Sequence, residues 1–352
     1  MKLNSEFYRL PLTFDVEKLT QEVNSFNESD WLPHPTGYQG NSSIPLISVN
    51  GESNDDFAGP MQITTSLKKC PYIKQVISSF GEVFGRSRLM RLGPGYEVPE
   101  HSDINYHWYS RVRIHIPIIT YPEVKFYCGD KNVHMEAGET WIFDSWEMHK
   151  VINGATKNRV HLVIDTCGSH KFWQMVNNSD EPHNNILHSD KKPKFLAFDA
   201  KAKSPIQTEK YNVSIVMSAG EVDAHCMDLI QEASNPSNDA TELLKYIDCV
   251  NEYRFNWRTT FSLHGLTEKG WPIYQSLLEK AQQQLSSIRP IKLKSNGSDA
   301  RQVFNARVLN SCFNPATSKA SAQTKNSDAK PGRNSPCPCG SGKKYKRCCQ
   351  TG

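Results

Sequence analysis

The chain has 352 residues, of which 38% are hydrophobic and 22% are charged, a balance typical of soluble globular proteins rather than disordered or fibrous ones. No apolar run reaches the ~20 residues that a membrane-spanning helix requires, and the charged N-terminal stretch does not resemble a signal peptide. We therefore expect a cytoplasmic protein with no membrane partner. The net charge of +4 is uneven, because eight lysines or arginines and one aspartate lie from position 319 onward, which predicts a basic, partner-seeking tail.

Short β-rich segments dominate the first half of the chain. Residues 7–14 and 88–92 have strand-like composition, whereas residues 15–26 and 70–84 have helical patterns. Between residues 111 and 166, runs such as RVRIHIPIIT, TWIFD and RVHLVIDT alternate with the turns GDKN, AGE and NGATKN. Strands at this regular spacing favour an all-β sandwich or barrel, here with flanking helices.

The second half of the chain has a different character. Residues 171–212 are rich in Asn, Asp, Lys and Pro, which predicts a linker or an extended excursion. Residues 213–312 carry two apolar stripes at helical spacing and are predicted to be a helical region, whose role the sequence does not reveal. Residues 313–331 form a polar, low-complexity segment that predicts a flexible linker, and it leads to a tail at 332–352.

The first candidate site is a possible metal centre. His101 and Asp103 are separated by one residue, so in an extended strand both side chains point to the same side and could grip one ion. His149 is the best candidate for a third ligand. Two histidines and one carboxylate form the facial triad of non-haem Fe(II) oxygenases, which leaves coordination positions open. Four other histidines compete for the third position, namely His107, His115, His134 and His161.

Basic residues alternate with apolar ones in two nearby runs. Arg111, Arg113 and His115 alternate in RVRIH, and Arg159 and His161 alternate in RVHLVID. Each set is predicted to share one face of a strand, which is either the solvated face of an antiparallel sheet or a buried cationic surface. Buried guanidinium groups are costly unless paired, and a dicarboxylate would pair with them bidentately.

The order HSD…RVRIHIPI…GETWIFD…MHKVINGATKNRVHLVID resembles the aspartyl/asparaginyl β-hydroxylase family of Fe(II)- and 2-oxoglutarate-dependent oxygenases. The resemblance covers roughly residues 7–168 and implies a hydroxylase-like domain over residues 1–170. It also implies a mainly β fold, the double-stranded β-helix of jelly-roll and cupin-like proteins, with iron at its mouth.

Matched motif by motif, the resemblance assigns roles to individual residues. His101 and His149 match the family's iron ligands, and Arg159 matches the arginine that pairs with the distal carboxylate of 2-oxoglutarate. Arg113 and His115 match the family's RxH on the co-substrate side. The implied reaction decarboxylates 2-oxoglutarate to succinate and CO₂ and hydroxylates an unactivated C–H bond.

Asp103 bears on the substrate class. Members similar to free amino-acid hydroxylases, such as proline cis-hydroxylases, have aspartate at this position, whereas some protein-modifying members have glycine. The substrate therefore stays open between a free amino acid and a side chain in a protein or peptide. Arg91, in LMRLGPG, has two interpretations, contact with a substrate carboxylate or a structural salt bridge.

The tail contains the most specific string in the chain, GRNSPCPCGSGKKYKRCC at residues 332–349. Four thiolates arranged as CxC and CC around a glycine-rich turn suit a closed, structural Zn(II) site, whose formation would fold the segment. The four predicted zinc ligands are Cys337, Cys339, Cys348 and Cys349. The string resembles the SEC-C motif of the SecA translocase ATPase, although Cys349 stands where that motif often has histidine. This resemblance implies docking to a protein or to the ribosome.

The sequence thus predicts an Fe(II)- and 2-oxoglutarate-dependent hydroxylase of amino-acid side chains that is tethered to a partner through a zinc-binding tail. Two alternatives belong to other functional classes. One is a catalytically idle β-helix that serves as a binding or adaptor module, and the other is a cupin-like metabolite sensor. The sequence specifies neither the docking partner nor the oligomeric state.

Overall fold

Two β-sheets that pack face to face build the first half of the chain. The computed structural model describes residues 1–35, 37–184 and 192–315, and Met1–Phe313 form one compact unit. The four cysteines predicted to bind zinc lie outside the described residues. The strands are β1 (Phe7–Leu10), β2 (Leu12–Phe14), β3 (Leu32–Pro33), β4 (Asn41–Val49), β5 (Met61–Ile63), β6 (Val83–Leu92), β7 (Glu97–His101), β8 (Val112–Ile119), β9 (Val124–Cys128), β10 (Lys131–Val133), β11 (Thr140–Phe143), β12 (His149–Asn153), β13 (Arg159–Thr166), β14 (Lys194–Leu196) and β15 (Gln207–Thr208).

The larger sheet has the strand order β1-β11-β8-β13-β6-β4-β3, and β5 and β15 are added to β4 and β6. The smaller sheet has the order β10-β9-β12-β7. Side chains from both sheets meet in one buried apolar cluster, which includes Phe7, Leu92, Phe126, Trp141 and Phe143. Two antiparallel sheets closed around a shared interior confirm the predicted double-stranded β-helix.

The outer face of the larger sheet is covered by helices. The helices are α1 (Val16–Val23), α2 (Thr65–Lys68), α3 (Pro71–Ser79), α4 (Tyr106–Tyr109), α5 (His170–Asn177), α6 (Ala219–Ala233), α7 (Ala240–His264), α8 (Trp271–Ser286) and α9 (Ala300–Phe304). Ile114 on β8 and Leu162 on β13 point outward and belong to the same apolar cluster as Leu19 of α1 and Val76 of α3. Alternation along the strands therefore leaves their basic side chains to face the interior.

The predicted helical region contains α6 to α9, which pack around their own core. Each of the first two helices begins at a capping residue, since Ser218 accepts from the Glu221 amide (3.2 Å) and Asp239 accepts from the Thr241 amide (3.0 Å). Trp146, which precedes β12, is buried in this helical core. The helical region is thereby attached to the β-helix. None of the helices in the described ranges combines the length and apolarity needed to cross a bilayer.

The described parts of the segment predicted to be a linker or an extended excursion, residues 171–184 and 192–212, pack on the β-helix. Most of α5 lies in it, β14 pairs in parallel with β2, and β15 pairs in parallel with β6. Glu209 is 7% exposed and accepts from the Arg111 guanidinium at 2.7 and 3.0 Å. This ion pair links the segment to Arg111, the residue directly before β8.

His225 on α6 lies at the junction between the helical region and the β-helix. Its ring centroid is 4.5 Å from that of Tyr109 and 5.6 Å from that of Tyr106, both on α4, and the residue is 3% exposed. Burial, and then the charge of Arg307, lowers the pKa of His225 to about 4.

This buried histidine makes the free energy of unfolding depend on pH. An unfolded histidine takes up a proton near pH 6.5, whereas folded His225 does so only near pH 4. Stability is therefore complete above pH 6.5 and falls as the pH drops toward 4. We expect His225→Phe, which keeps an aromatic ring, to reduce this loss by about 3 kcal/mol. Denaturant unfolding of the metal-free protein at pH 7 and pH 4 measures the difference, and equal losses in both proteins would contradict it.

Candidate metal centre and anion sites

Two short strands bring the candidate metal ligands together. β7 ends at His101, β12 begins at His149, and these two residues are direct partners in the smaller sheet. Asp103 lies two residues beyond β7 and donates its backbone N–H to the Ser145 carbonyl (2.9 Å). Ligand atoms of the three side chains, one from each, all lie within 4.8 Å of one another. A single ion therefore fits among them.

In both candidate histidine ligands, a backbone carbonyl lies within hydrogen-bonding distance of Nδ1. His101 Nδ1 lies 2.8 Å from the Pro99 carbonyl oxygen, and His149 Nδ1 lies 2.9 Å from the Glu147 carbonyl oxygen. Because a carbonyl can only accept, Nδ1 carries the proton in both neutral rings and the Nε2 lone pair is left for a metal. Proteins commonly orient metal-binding histidines in this way.

The electrostatic environment favours the metal-binding forms of these groups. Burial lowers the pKa of His149 to about 4. Burial by itself would raise the pKa of Asp103, but Arg113 and the two histidines outweigh it and hold that pKa below its ordinary value. Asp103 Oδ2 is buried and has no hydrogen-bond partner in the described chain. At neutral pH the cluster thus offers neutral imidazole and an ionised, unsatisfied carboxylate, which are the forms that bind metal.

The four competing histidines lie outside the cluster of three ligands. His107 Nε2 is 3.3 Å from a carboxylate oxygen of Asp165, and His134 Nδ1 contacts a backbone carbonyl at 3.0 Å. His115 and His161 are buried between the sheets with their ring centroids 5.9 Å apart. Among the candidates for a third ligand, His149 is the one that lies beside His101 and Asp103.

Arg159 is a buried guanidinium that lacks an acidic partner. It begins β13, is 5% exposed, and lies over the Phe126 ring at 4.9 Å from the centroid. Its Nε has no hydrogen-bond partner among the described residues. Desolvation lowers its pKa to about 9, and no neighbouring carboxylate of the described chain offsets that effect. Burying a guanidinium without an opposite charge costs free energy, which a bound carboxylate would offset.

The other two residues predicted on the co-substrate side, Arg113 and His115, lie on β8. The His115 ring centroid is 5.5 Å from that of Phe126, the ring beneath Arg159. Burial, followed by the charges of Arg113 and Arg159, holds the pKa of His115 well below its ordinary value. Arg113 lies 3.6 Å from carboxylate oxygens of both Asp103 and Asp165. His115 therefore borders the Arg159 site, whereas Arg113 contacts the metal cluster.

The alternation predicted that Arg111 shares a strand face with Arg113, but Arg111 is not part of that strand. Strand β8 begins at Val112, so Arg111 lies outside the strand. Its guanidinium is engaged by Glu209 instead. The period-two rule applies only within a strand, and no residue pattern in RVRIH marks where β8 begins.

A second pair of buried arginines was missed by the sequence analysis. Arg86 and Arg88 alternate on β6 and are 5% and 4% exposed. Both contact Asp55, in the loop between β4 and β5, since Arg88 Nη1 lies 2.6 Å from Asp55 Oδ1 and Arg86 Nη1 donates to the Asp55 carbonyl at 2.9 Å. Burial lowers the pKa of Arg86 to about 9. The available signal was GRSRL, which has the same basic alternation as RVRIH.

Alternating charges connect this arginine pair to the metal cluster. Arg86 Nε lies 3.9 Å from Asp165, Asp165 lies 3.6 Å from Arg113, and Arg113 lies 3.6 Å from Asp103. Burial alone would raise the pKa of Asp165, but His107 and the arginines hold it below its ordinary value. The interior therefore has two basic ends, one at Arg159 and one at Arg86 and Arg88, and the second is paired with Asp55.

Arg91 belongs to neither end of the interior. Its guanidinium donates to both carboxylate oxygens of Glu28, at 2.6 and 2.5 Å, and lies 4.5 Å from the Trp31 ring centroid. Arg91 alternates out of phase with Arg86 and Arg88 on β6, so it lies on the opposite face of the sheet. Of the two interpretations of Arg91, the structural salt bridge agrees with the structure.

Two family models match the chain at separate places. Residues 48–168 match aspartyl/asparaginyl β-hydroxylase, and residues 333–351 match the SEC-C motif. The first range includes all three candidate metal ligands and all four interior arginines. These matches confirm the two resemblances that the motifs had predicted, one to the aspartyl/asparaginyl β-hydroxylase family and one to the SEC-C motif.

Individual relatives divide in the same way. The chain is 25% identical to L-proline cis-3-hydroxylase 1 of a Streptomyces species over 159 residues, which cover 43% of this chain and 51% of that enzyme. It is 39% identical to protein translocase subunit SecA of Prosthecochloris aestuarii over 94 residues, which cover 24% of this chain and 9% of SecA. The chain thus spans about half the length of the first relative and about a tenth of the second.

Among solved structures, an oxidoreductase of the 2OG-Fe(II) oxygenase family from Burkholderia pseudomallei is similar to part of this chain. The TM-score is 0.33 and the sequence identity is 11%, over 44% of this chain and 78% of that one.

Proposed function

We propose that this protein is an Fe(II)- and 2-oxoglutarate-dependent dioxygenase that hydroxylates an unactivated C–H bond of an amino-acid side chain. The observation that carries the proposal is that one buried interior contains both a cluster of two histidines and a carboxylate and the unpaired guanidinium of Arg159. The match to a hydroxylase family supports the same class of reaction.

His101, Asp103 and His149 would hold the iron. Their ligand atoms are close enough for one ion, the histidine tautomers present Nε2, and the buried Asp103 Oδ2 has no hydrogen-bond partner in the described chain. Three protein ligands leave positions for a co-substrate and dioxygen. Bound Fe(II) supplies the oxygen-activating chemistry that couples decarboxylation of 2-oxoglutarate to hydroxylation of the substrate.

Arg159 would bind the distal carboxylate of 2-oxoglutarate. A guanidinium and a carboxylate form two parallel hydrogen bonds, and their attraction is strong where water is excluded. Phe126 and Phe143 line this part of the interior and are 3% and 4% exposed. His115, which stays neutral because it is buried beside two arginines, adds no competing positive charge.

The Arg86 and Arg88 end of the interior would receive a carboxylate of the substrate. The carboxylate of Asp55, in a surface loop, contacts both arginines, and its side chain is 19% exposed. The two arginines are therefore already placed to bind a carboxylate. A free amino acid and an acidic peptide both satisfy this requirement. The aspartate at position 103 favours the free amino acid, whereas the SEC-C tail favours a protein substrate.

The tail would dock the enzyme on a partner. Cys337, Cys339, Cys348 and Cys349 would bind Zn(II) and fold the tail, and the lysines and arginines beside them suit an acidic protein surface or the ribosome. The six cysteines in the described ranges are all free and five of them are buried. Free thiols are typical of a reducing compartment such as the cytoplasm, where we expect the protein to act.

Succinate formation tests the proposed reaction. Protein purified without oxygen is supplied with Fe(II) and 2-oxoglutarate, and succinate is measured after oxygen is admitted, with free amino acids and a cytoplasmic extract as substrates. We expect one of these substrates to stimulate succinate formation, and His101→Ala to abolish it because a ligand is lost. If the wild type makes no more succinate than His101→Ala with any substrate, the binding-module and sensor alternatives replace the dioxygenase.

Replacement of Arg159 tests the co-substrate site. Removing one partner of a buried charge pair costs at least ~2 kcal/mol, so Arg159→Ala should raise the apparent KM for 2-oxoglutarate about 30-fold or more. Fe(II) should remain bound, because Arg159 does not contact the metal ligands. Arg91→Ala is the matched control, since it removes an arginine from the opposite face of the sheet. An unchanged KM in Arg159→Ala would remove this role.

Truncation tests whether the tail is independent of the hydroxylase. We expect the chain without residues 315–352 to retain turnover of a small substrate and to lose one tightly bound zinc, measured by elemental analysis. Replacing Cys348 and Cys349 with serine is the smaller change and should release the same zinc. Loss of turnover together with the zinc would show that the tail is part of the catalytic unit.

A further inference from the structure

The helical region packs on both chain segments that carry the candidate metal ligands. Helix α4 directly follows the segment with His101 and Asp103, and Tyr106 of α4 donates a hydrogen bond to Glu221 of α6 (2.6 Å). Trp146 lies three residues before His149, is buried in the helical core, and donates from Nε1 to Ser295 Oγ (2.7 Å). The helical region therefore contacts both chain segments that carry the candidate ligands.

A tight turn between α8 and α9 makes the most direct of these contacts. The turn is closed by two backbone hydrogen bonds, from Leu293 N–H to the Ser298 carbonyl (2.9 Å) and from Gly297 N–H to the Leu293 carbonyl (3.1 Å). Gly297 has φ +71°, a conformation that glycine adopts without strain. Glu232 of α6 accepts from the Lys294 amide with its carbonyl (2.8 Å) and from the Ser295 amide with its carboxylate (3.1 Å). The turn is thus fixed to the helices before it meets the β-helix.

Asn296, at the tip of this turn, joins the two ligand-bearing segments. Its Nδ2 donates to Ser102 Oγ (3.1 Å) and to the Trp146 carbonyl (2.8 Å), and its Oδ1 accepts from the Ser298 amide (3.0 Å). Ser102 lies between His101 and Asp103 in the sequence, and Ser102 Oγ donates to the same Trp146 carbonyl (2.6 Å). One amide group therefore contacts both segments, and the asparagine is 9% exposed.

We propose that Asn296 is a positioning residue for the metal centre, and that the helical region thereby sets the spacing between the segment of His101 and Asp103 and the segment of His149. The inference rests on the proposed function, because it assigns iron to those three side chains. Asn296 touches no metal ligand side chain itself. It acts through Ser102 and Trp146, whose backbone carries the ligands.

The geometry favours this role over simple attachment of the helices. Attachment alone needs no contact with the residue between two ligands, since Trp146 is already anchored by the helical core and by Ser295. Loss of the Asn296 amide would leave the Ser102–Trp146 hydrogen bond in place, so no buried carbonyl loses its last donor. What would be lost is the rigid link that holds both segments to one turn, and metal affinity depends on such supporting contacts.

The experiment measures Fe(II) affinity in the full chain rather than turnover. Fe(II) is titrated without oxygen in the presence of excess 2-oxoglutarate, and binding is followed by the charge-transfer absorption of the ternary complex, a signal that thiolate sites in the tail do not produce. We expect Asn296→Ala to raise the Kd for Fe(II) about 10-fold. Ser102→Ala removes the Asn296–Ser102 contact, together with the Ser102–Trp146 hydrogen bond, without altering the helical region. It should also raise the Kd, which covers the case in which Asn296→Ala folds poorly.

Asn238→Ala is the matched control. Asn238 also lies in the helical region, donates from Nδ2 to two backbone carbonyls (2.8 and 2.9 Å), and accepts from a backbone amide (2.8 Å), but it contacts neither ligand-bearing segment. Its variant should lower the Tm as Asn296→Ala does and leave the Kd within about two-fold.

The outcomes separate the inference from the proposed function. A raised Kd in Asn296→Ala and Ser102→Ala, but not in Asn238→Ala, supports the positioning role. Equal Kd values in all proteins, or equal increases in the two asparagine variants, overturn the positioning role. Neither result contradicts the proposed dioxygenase function. Absence of the charge-transfer signal in the wild type overturns both.

Discussion

The candidate site depends above all on the pairing of β7 with β12. This register sets His101 directly opposite His149, and it places both side chains on the inner face of the smaller sheet together with Asp103. A slip of one residue in either strand would turn its histidine to the other face, because side chains alternate along a strand. The carbonyls of Pro99 and Glu147 add to this constraint, since they fix the ring orientation of each histidine.

The interior of the β-helix has two ends that differ in how their buried charges are paired. At one end, aromatic rings surround Arg159, which has no acidic partner in the described chain. At the other end, arginines and aspartates alternate from Asp103 to Arg86, so every charge there has an opposite neighbour. Burial costs free energy at both ends. At the first end a bound anion would offset this free-energy cost. At the second end ion pairs within the protein offset much of it. We infer that the first end is the more dependent on its ligand.

The sequence predicted the β-helix, the helical region and the metal cluster, because each depends on local patterns or on motifs with fixed spacing. Period-two alternation in RVRIHIPI and RVHLVID placed the inward-facing side chains correctly within β8 and β13. The same reasoning failed at Arg111, where the strand had not yet begun. It also passed over Arg86 and Arg88, because GRSRL carries no mark that distinguishes a buried basic face from a solvated one.

By itself the sequence determined the resemblance to the hydroxylase family, the SEC-C motif of the tail and the set of histidines from which a third ligand was predicted to come. His149 was the best candidate among them and also matched the family resemblance, but the tertiary structure alone shows which rings lie beside Asp103. Only the tertiary structure decided that residues 192–212 add strands to the β-sheets and that Asn296 meets Ser102, 194 positions away. Contacts at such separation depend on how whole elements pack, and no local pattern of residues encodes that packing.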